Sequence, residues 1–276
     1  MKRIIGTICL LLFFALTASG QGLLETAQQR LSKENNADIF RTNPNSSDNL
    51  LSQNDRNLGR ITKVFVEIGL YATYYGLIES PMERKHKGRK AFITKHPYFI
   101  SNKGNYSYNW GADTNLYRIT VTNRFLKDTD QLYGNTAHID FRFLKRMSLE
   151  ANYLQLWEHE SFYSNSSLAT YTILAKYNRI RTEKFNAYWG VGATYIAGEV
   201  EEFGFTYGIG AEYFFVNPLS IEINYNQSFI NSFSSNRLNS LLNYHINQYK
   251  IIGGYEYLRI GGFNFSTISV GLGLFI

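Results

Sequence analysis

The chain holds one cysteine in 276 residues, Cys9, within an apolar run close to the N-terminus. A disulfide framework is therefore excluded, and if that run is a cleaved leader the thiol is lost with it. The five histidines are scattered without the spacing of metal ligands, so no metal is expected. Downstream of the leader no stretch has 18 or more consecutive apolar residues, which excludes a membrane-spanning helix. Phosphate loops are missing too. Gly190-Val191-Gly192 and Gly208-Ile209-Gly210 lie inside strand-like patterns, not ahead of a helix, and no cofactor is expected. The net charge of +6 comes with no nucleic-acid recognition motif, so nucleic acid is not an expected partner.

What the chain does have is aromatic residues, 21 Tyr and 20 Phe, and a rhythm of two. In the last thirteen residues Ile268, Val270, Leu272, Leu274 and Ile276 alternate with small or polar residues. A strand that is greasy on one face and small or polar on the other suits a wall between lipid and a wet or packed lumen. The mean hydropathy is slightly negative, which hides such a wall, because averaging over an alternating strand cancels its lipid face. The competing architecture is a secreted, tyrosine-rich β-sandwich.

Lys2 and Arg3, the apolar run Ile4 to Leu16 and the small residues Ala18-Ser19-Gly20 form a secretory leader, expected to be cut after Gly20. Residues 21–60 follow as a periplasmic segment. Leu23 to Lys33 has helical spacing, and Glu34 to Arg60 is a polar linker or arm, with a folded lumenal plug as the less favoured option. The barrel is expected over 61–276.

Ten strands stand out: Asn115 to Phe125, Thr136 to Leu144, Ser148 to Phe162, Leu168 to Ile180, Phe185 to Ala197, Phe203 to Val216, Leu219 to Phe229, Asn239 to Ile246, Tyr249 to Ile260, and the last. Ile61 to Ile78 and the aromatic stretch Tyr98 to Trp110 bring the number to twelve if both are strands. The expectation is an all-β, antiparallel, up-and-down transmembrane β-barrel of ten to twelve strands. The tight turns Lys145 to Met147, Arg181 to Lys184, Asn217-Pro218 and Asn247-Gln248 are assigned to the periplasm; the short Gly261-Gly262 turn then falls outside. One face carries Trp189, Val191, Phe205, Tyr207, Ile209, Ile221 and Ile223, and the other carries Thr194, Glu212, Ser220 and Glu222. A slip of one residue would turn charge to lipid, at about 2–4 kcal/mol for a basic residue at mid-depth, so register is firmly set.

On these features the chain resembles the bacterial outer-membrane β-barrel superfamily. Its closing segment is similar to that superfamily's assembly signal, with Ser269, Gly271, Leu274 and Ile276 at the signal positions and Ile276 where an aromatic usually stands. The resemblance implies an outer-membrane location in a Gram-negative cell and a barrel-insertion machinery as an assembly partner. The resemblance leaves the function open; the role expected from the chain as a whole is non-enzymatic: binding, structure, or a small porin-like passive channel.

Three groups of residues could carry function. Parity points Glu67, Arg118, His138, Asp140, Arg142, Glu150, Glu158, Lys176, Glu212, Glu222, Lys250 and Glu256 into the lumen. Mixed charges in a narrow tube must be paired or wet, which favours a salt-bridged filling. The alternative is a cation-favouring channel, since acids outnumber bases in that set by seven to four. The second group is the basic loop Met82 to Lys95, with Arg84, Lys85, Lys87, Arg89, Lys90 and Lys95. On the outer face it would meet lipid, lipopolysaccharide phosphates or anionic glycans. The third is the catalytic pair His159 and Ser161, placed outward at the rim and similar to the His and Ser of outer-membrane phospholipase A, a calcium-dependent lipid esterase. The residues after Ser161 depart from that family's pattern, and Asn165 is the nearest match to its orienting Asn.

Overall fold

The computed structural model describes residues 76, 90–100, 102–128, 132–159, 165–197, 201–230 and 233–276. Three short strands come first: β1 (Phe92–Thr94), β2 (Tyr106–Ser107) and β3 (Thr114–Asn115). Ten long ones follow: β4 (Arg118–Lys127), β5 (Leu132–Arg142), β6 (Met147–His159), β7 (Asn165–Arg181), β8 (Phe185–Ala197), β9 (Glu202–Val216), β10 (Leu219–Ile230), β11 (Phe233–Ile246), β12 (Tyr249–Ile260) and β13 (Phe263–Phe275). Each long strand pairs antiparallel with its neighbour in sequence, and β13 pairs back onto β4 through Ile268↔Lys127 to Phe275↔Thr120. The wall is thus a closed up-and-down barrel of ten strands.

The reason is the two-residue period. Outward positions hold Phe125, Ile139, Ile173, Val191, Ile209, Ile223, Leu242, Val270 and Leu272, all exposed. Inward positions hold Arg124, Asp140, Lys176, Thr206, Asn224 and Glu256, all buried. In water this partition would be inside out. In lipid it is the stable one, because the exposed side chains meet hydrocarbon and the wall backbone is bonded from strand to strand around a closed ring. Rows of outward rings cross the strands, with Tyr153, Tyr171, Tyr195 and Phe203 in sequence at centroid distances of 4.9, 6.3 and 4.6 Å. Tyr177 and Trp189 pair at 5.7 Å nearer the other end. These are the girdles expected where lipid meets water.

The ten clear strands of the sequence make the wall, and the twelve-strand option is corrected. Tyr98 to Trp110 is not a wall strand. Ile61 to Ile78 lies outside the described residues, and the wall closes between β4 and β13 without it. Residues 90–117 instead form a small unit around β2–β1–β3, with Ala91, Ile93 and Tyr106 buried at its centre. This unit plugs the end of the tube that bears the short turns. Tyr98 donates its hydroxyl to the carbonyl of Leu219 at 2.7 Å, beside the Asn217-Pro218 turn. The Gly104 N–H donates to the Glu183 carbonyl at 2.6 Å, in the β7–β8 turn. Gly104 allows this approach: a Cβ there would stand 2.2 Å from the ring of Phe214. The plug seen here is the segment just before the wall; the polar stretch 34–60 lies outside the described residues.

Candidate functional site

The lumen is the candidate site, and it is filled in tiers. At the short-turn end the plug meets the wall through polar bonds. Arg118, 1% exposed, donates to the Thr94 carbonyl at 3.0 Å and to Asn105 Oδ1 at 2.6 Å. Asn105 in turn donates through Nδ2 to Asn186 Oδ1 at 2.7 Å and Glu212 Oε2 at 2.6 Å. Ser220 donates to the other Glu212 oxygen at 2.8 Å. Asn105 thus links a cation on β4 to a carboxylate on β9, each using the amide end that suits it. Arg181 donates to the carbonyls of Ala91 at 3.3 Å and Lys145 at 3.0 Å. Strict alternation would turn Arg181 to lipid. A bulge between Asn178 and Ile180 shifts the register by one and brings it inside. On the solvent side of the plug, burial and the nearby Glu212 charge push the Tyr98 phenol up to about 12.

The next tier is ionic. Asp140 lies 2.8 Å from both Lys176 Nζ and Arg142 Nε. Lys176 also reaches Glu150 at 2.8 Å, and His138 stands 3.9 Å from Glu150, a charge pair only when the ring is protonated. Glu256 takes Arg124 at 3.0 Å and Arg237 at 2.7 Å, and Lys250 faces Glu222 at 3.6 Å. Above this tier, hydroxyls of Thr194, Thr206 and Ser228 bond one another at 2.7–3.0 Å. The far mouth is closed by an inward apolar cluster that includes Leu126, Leu154, Leu156, Leu168, Ile196, Ile230 and Phe265. Among the described residues two cavities stand out, of about 50 Å³ among the charges and about 30 Å³ beneath the apolar cluster. Each holds at most a few waters.

The lumenal residues anticipated from parity, apart from Glu67, all lie inside the tube; Glu67 is outside the described residues. The described residues do not carry the expected acid excess. Among them Arg124, Arg181 and Arg237 join Arg118, Arg142, Lys176 and Lys250, giving seven bases against the six acids Asp140, Glu150, Glu158, Glu212, Glu222 and Glu256. Arg124 and Arg237 share the inward parity of their strands and were legible; Arg181 needed the bulge. The apolar cluster was missed because inward Leu on the outer third of a strand carries the same period as inward Asp on the middle third.

Lys90 and Lys95 are exposed at the plugged, short-turn end. With the short turns assigned to the periplasm, that is the side opposite the outer face where the basic loop was expected. Arg84, Lys85, Lys87 and Arg89 lie outside the described residues. So does Ser161; His159 ends β6 opposite Asn165, and its side chain is likewise outside them. In the closing strand Ser269 is buried with Gly271 on the inward side, while Leu274 and Ile276 follow the outward parity of Leu272. Among the described residues no group of three or more His, Cys, Asp or Glu is placed to hold a metal.

A closed ten-strand wall, apolar outside and charged within, defines the class: this is a transmembrane β-barrel. No family model matches the chain, and no curated protein matches it. Solved structures similar to it include the outer membrane protein Ail of Yersinia pestis, at 12% identity and a TM-score of 0.34, covering 58% of this chain and 99% of that one. An outer membrane channel from Pseudomonas putida F1 is similar at 8% identity and a TM-score of 0.35, covering 61% and 100%. A de novo designed transmembrane β-barrel is similar at 15% identity and a TM-score of 0.31, covering 58% and 95%.

Proposed function

We propose that this protein is a closed, non-enzymatic outer-membrane barrel with a structural or binding role, and that it does not serve as a passive channel. The observation that carries this reading is the filling of the lumen from end to end: plug, paired charges, hydroxyls, then an apolar layer that contains Leu156, Leu168, Ile196 and Ile230, each no more than 1% exposed. An ion crossing that layer would shed water without gaining a partner. The balanced lining also removes the charge excess on which cation selectivity rested.

In the same reading residues 1–20 are a leader, residues 21–60 remain in the periplasm, and Ser269, Gly271, Leu274 and Ile276 are read by the insertion machinery during assembly. The position of Lys90 and Lys95 lends no support to a lipopolysaccharide site on the basic loop, and no described contact favours His159 and Ser161 as a lipase. Planar-bilayer recording tests the proposal. The purified mature chain is expected to leave the bilayer silent, whereas reproducible discrete conductance steps would overturn it.

A further inference from the structure

A polar group sits where the wall should be greasy. β4 turns Ile119, Val121, Asn123, Phe125 and Lys127 outward, and the central one of the five is an amide. The outward residues around it are apolar: Val121 and Phe125 along the strand, Leu272 on β13 and Ala137 on β5. Asn123 is exposed there, and among the described residues its side chain bonds Asn135 on β5. The two amides are joined reciprocally. Asn123 Nδ2 donates to Asn135 Oδ1 at 2.9 Å, and Asn135 Nδ2 donates to Asn123 Oδ1 at 3.0 Å. An amide offers two N–H donors and an oxygen with two lone pairs. The reciprocal pair uses one N–H and one lone pair of each, so each side chain keeps one of both. Gln155, opposite Asn135 on β6, is bonded elsewhere: its oxygen accepts from Tyr153 at 2.8 Å, and its Nε2 donates to the Leu156 carbonyl at 3.4 Å. A polar group left unbonded in hydrocarbon is costly, and a protein contact that bonds it removes the cost.

We propose that the outward face of β4 and β5 around Asn123 and Asn135 is the contact surface for a second copy of this chain, in a dimer whose two-fold axis runs along the membrane normal. The amide pair selects that occupant. It carries donors and acceptors in equal number and no charge, so it is complementary to its own image, as a two-fold contact requires. A second copy crosses the membrane in the same direction and brings the same amides to the same depth. A lipid acyl chain offers no hydrogen bond at all. Ala137 lies opposite Asn123 and next along the outward face from Asn135, and so small a side chain lets the second wall come close enough for amide to meet amide. Lys127, the charge on this face of β4, holds its ammonium 5.7 Å from the centre of the Tyr133 ring, so it has a partner within its own chain.

The test is association of the purified mature chain in phosphatidylcholine vesicles. Residues 21–276 contain no cysteine, so a single thiol can be placed at a chosen point of the wall. Ala137→Cys is expected to give disulfide-linked dimers on mild oxidation. Ile223→Cys, exposed on β10 at the opposite side of the ring, is expected to stay monomeric. Photobleaching steps of the singly labelled chain, counted at serial lipid dilution, give the dissociation constant. Asn123→Leu with Asn135→Leu is expected to raise that constant at least tenfold. Ser240→Ala, at an exposed polar position on β11, is expected to leave it unchanged. Single bleaching steps at every dilution would overturn the proposal, and so would equal disulfide yields at the two thiol positions. An unchanged constant in the double Leu variant would also overturn it, and a fall in that variant's unfolding stability alone would mark the amides as a brace within one wall. The thiol comparison decides the matter even if the double Leu variant does not fold.

Discussion

Lys176 is the side chain on which the ionic tier turns. It is buried, and its ammonium lies 2.8 Å from carboxylates on both β5 and β6. Replacing it with Met leaves Asp140 with Arg142 alone and Glu150 with a ring that is charged only when protonated. Breaking a buried pair from one side costs about 3–5 kcal/mol, because the orphaned charge stays buried. Lys176→Met is therefore expected to lower unfolding stability by about that amount in urea titration of lipid-reconstituted protein. Asn105 has no charge but joins two: Arg118 and Glu212 are bridged through its amide. Tyr98 supplies a pH signature. Its phenol is raised from 10.0 to about 12, so the folded plug favours the neutral hydroxyl that donates to Leu219. This stabilisation is complete below the ordinary phenol value and is lost as pH climbs through the folded one. Protease susceptibility of the plug should rise between about pH 10 and 12 in the natural chain, and Tyr98→Phe should abolish the step.

At the level of elements, wall and plug differ in what holds them. Each wall strand is bonded on both edges and closed into a ring. The plug has a buried apolar centre of three residues, Ala91, Ile93 and Tyr106, and is joined to the wall by polar bonds and by the Tyr98 ring against Phe214 and His245. Units with few apolar contacts open first. The three tryptophans fall conveniently, with Trp110 in the plug and Trp157 and Trp189 on β6 and β8. In single-tryptophan variants, Trp110 fluorescence is expected to change at lower urea than Trp157 or Trp189, and those two should change together. Coincident transitions at all three sites would show that plug and wall open as one unit. Strand boundaries illustrate how far sequence reaches. β11 runs from Phe233, whereas alternation marked only Asn239 to Ile246, because Ser234, Ser235 and Asn236 are polar on both faces and give no period to read.

Across the whole molecule, the lumen is a closed interior in which the described cations and acids are close to equal in number. Their pairing follows from closure: pairing of β13 with β4 gives the chain an inside, and every inward charge must then find a partner across the tube. The two-residue period determined the wall by itself. Each strand separates the same two media, so each side chain's side of the wall is decided by its neighbours in sequence, and this made the ten strands, their lipid face and most lumenal residues legible. Only the tertiary structure decided what fills the tube. Asn105 meets Glu212 across 107 positions of sequence, Arg237 meets Asn152 across 85, and the apolar layer gathers residues from eight of the ten wall strands. No local pattern encodes such meetings, because they exist only after the ring has closed and set the register of every strand against those opposite.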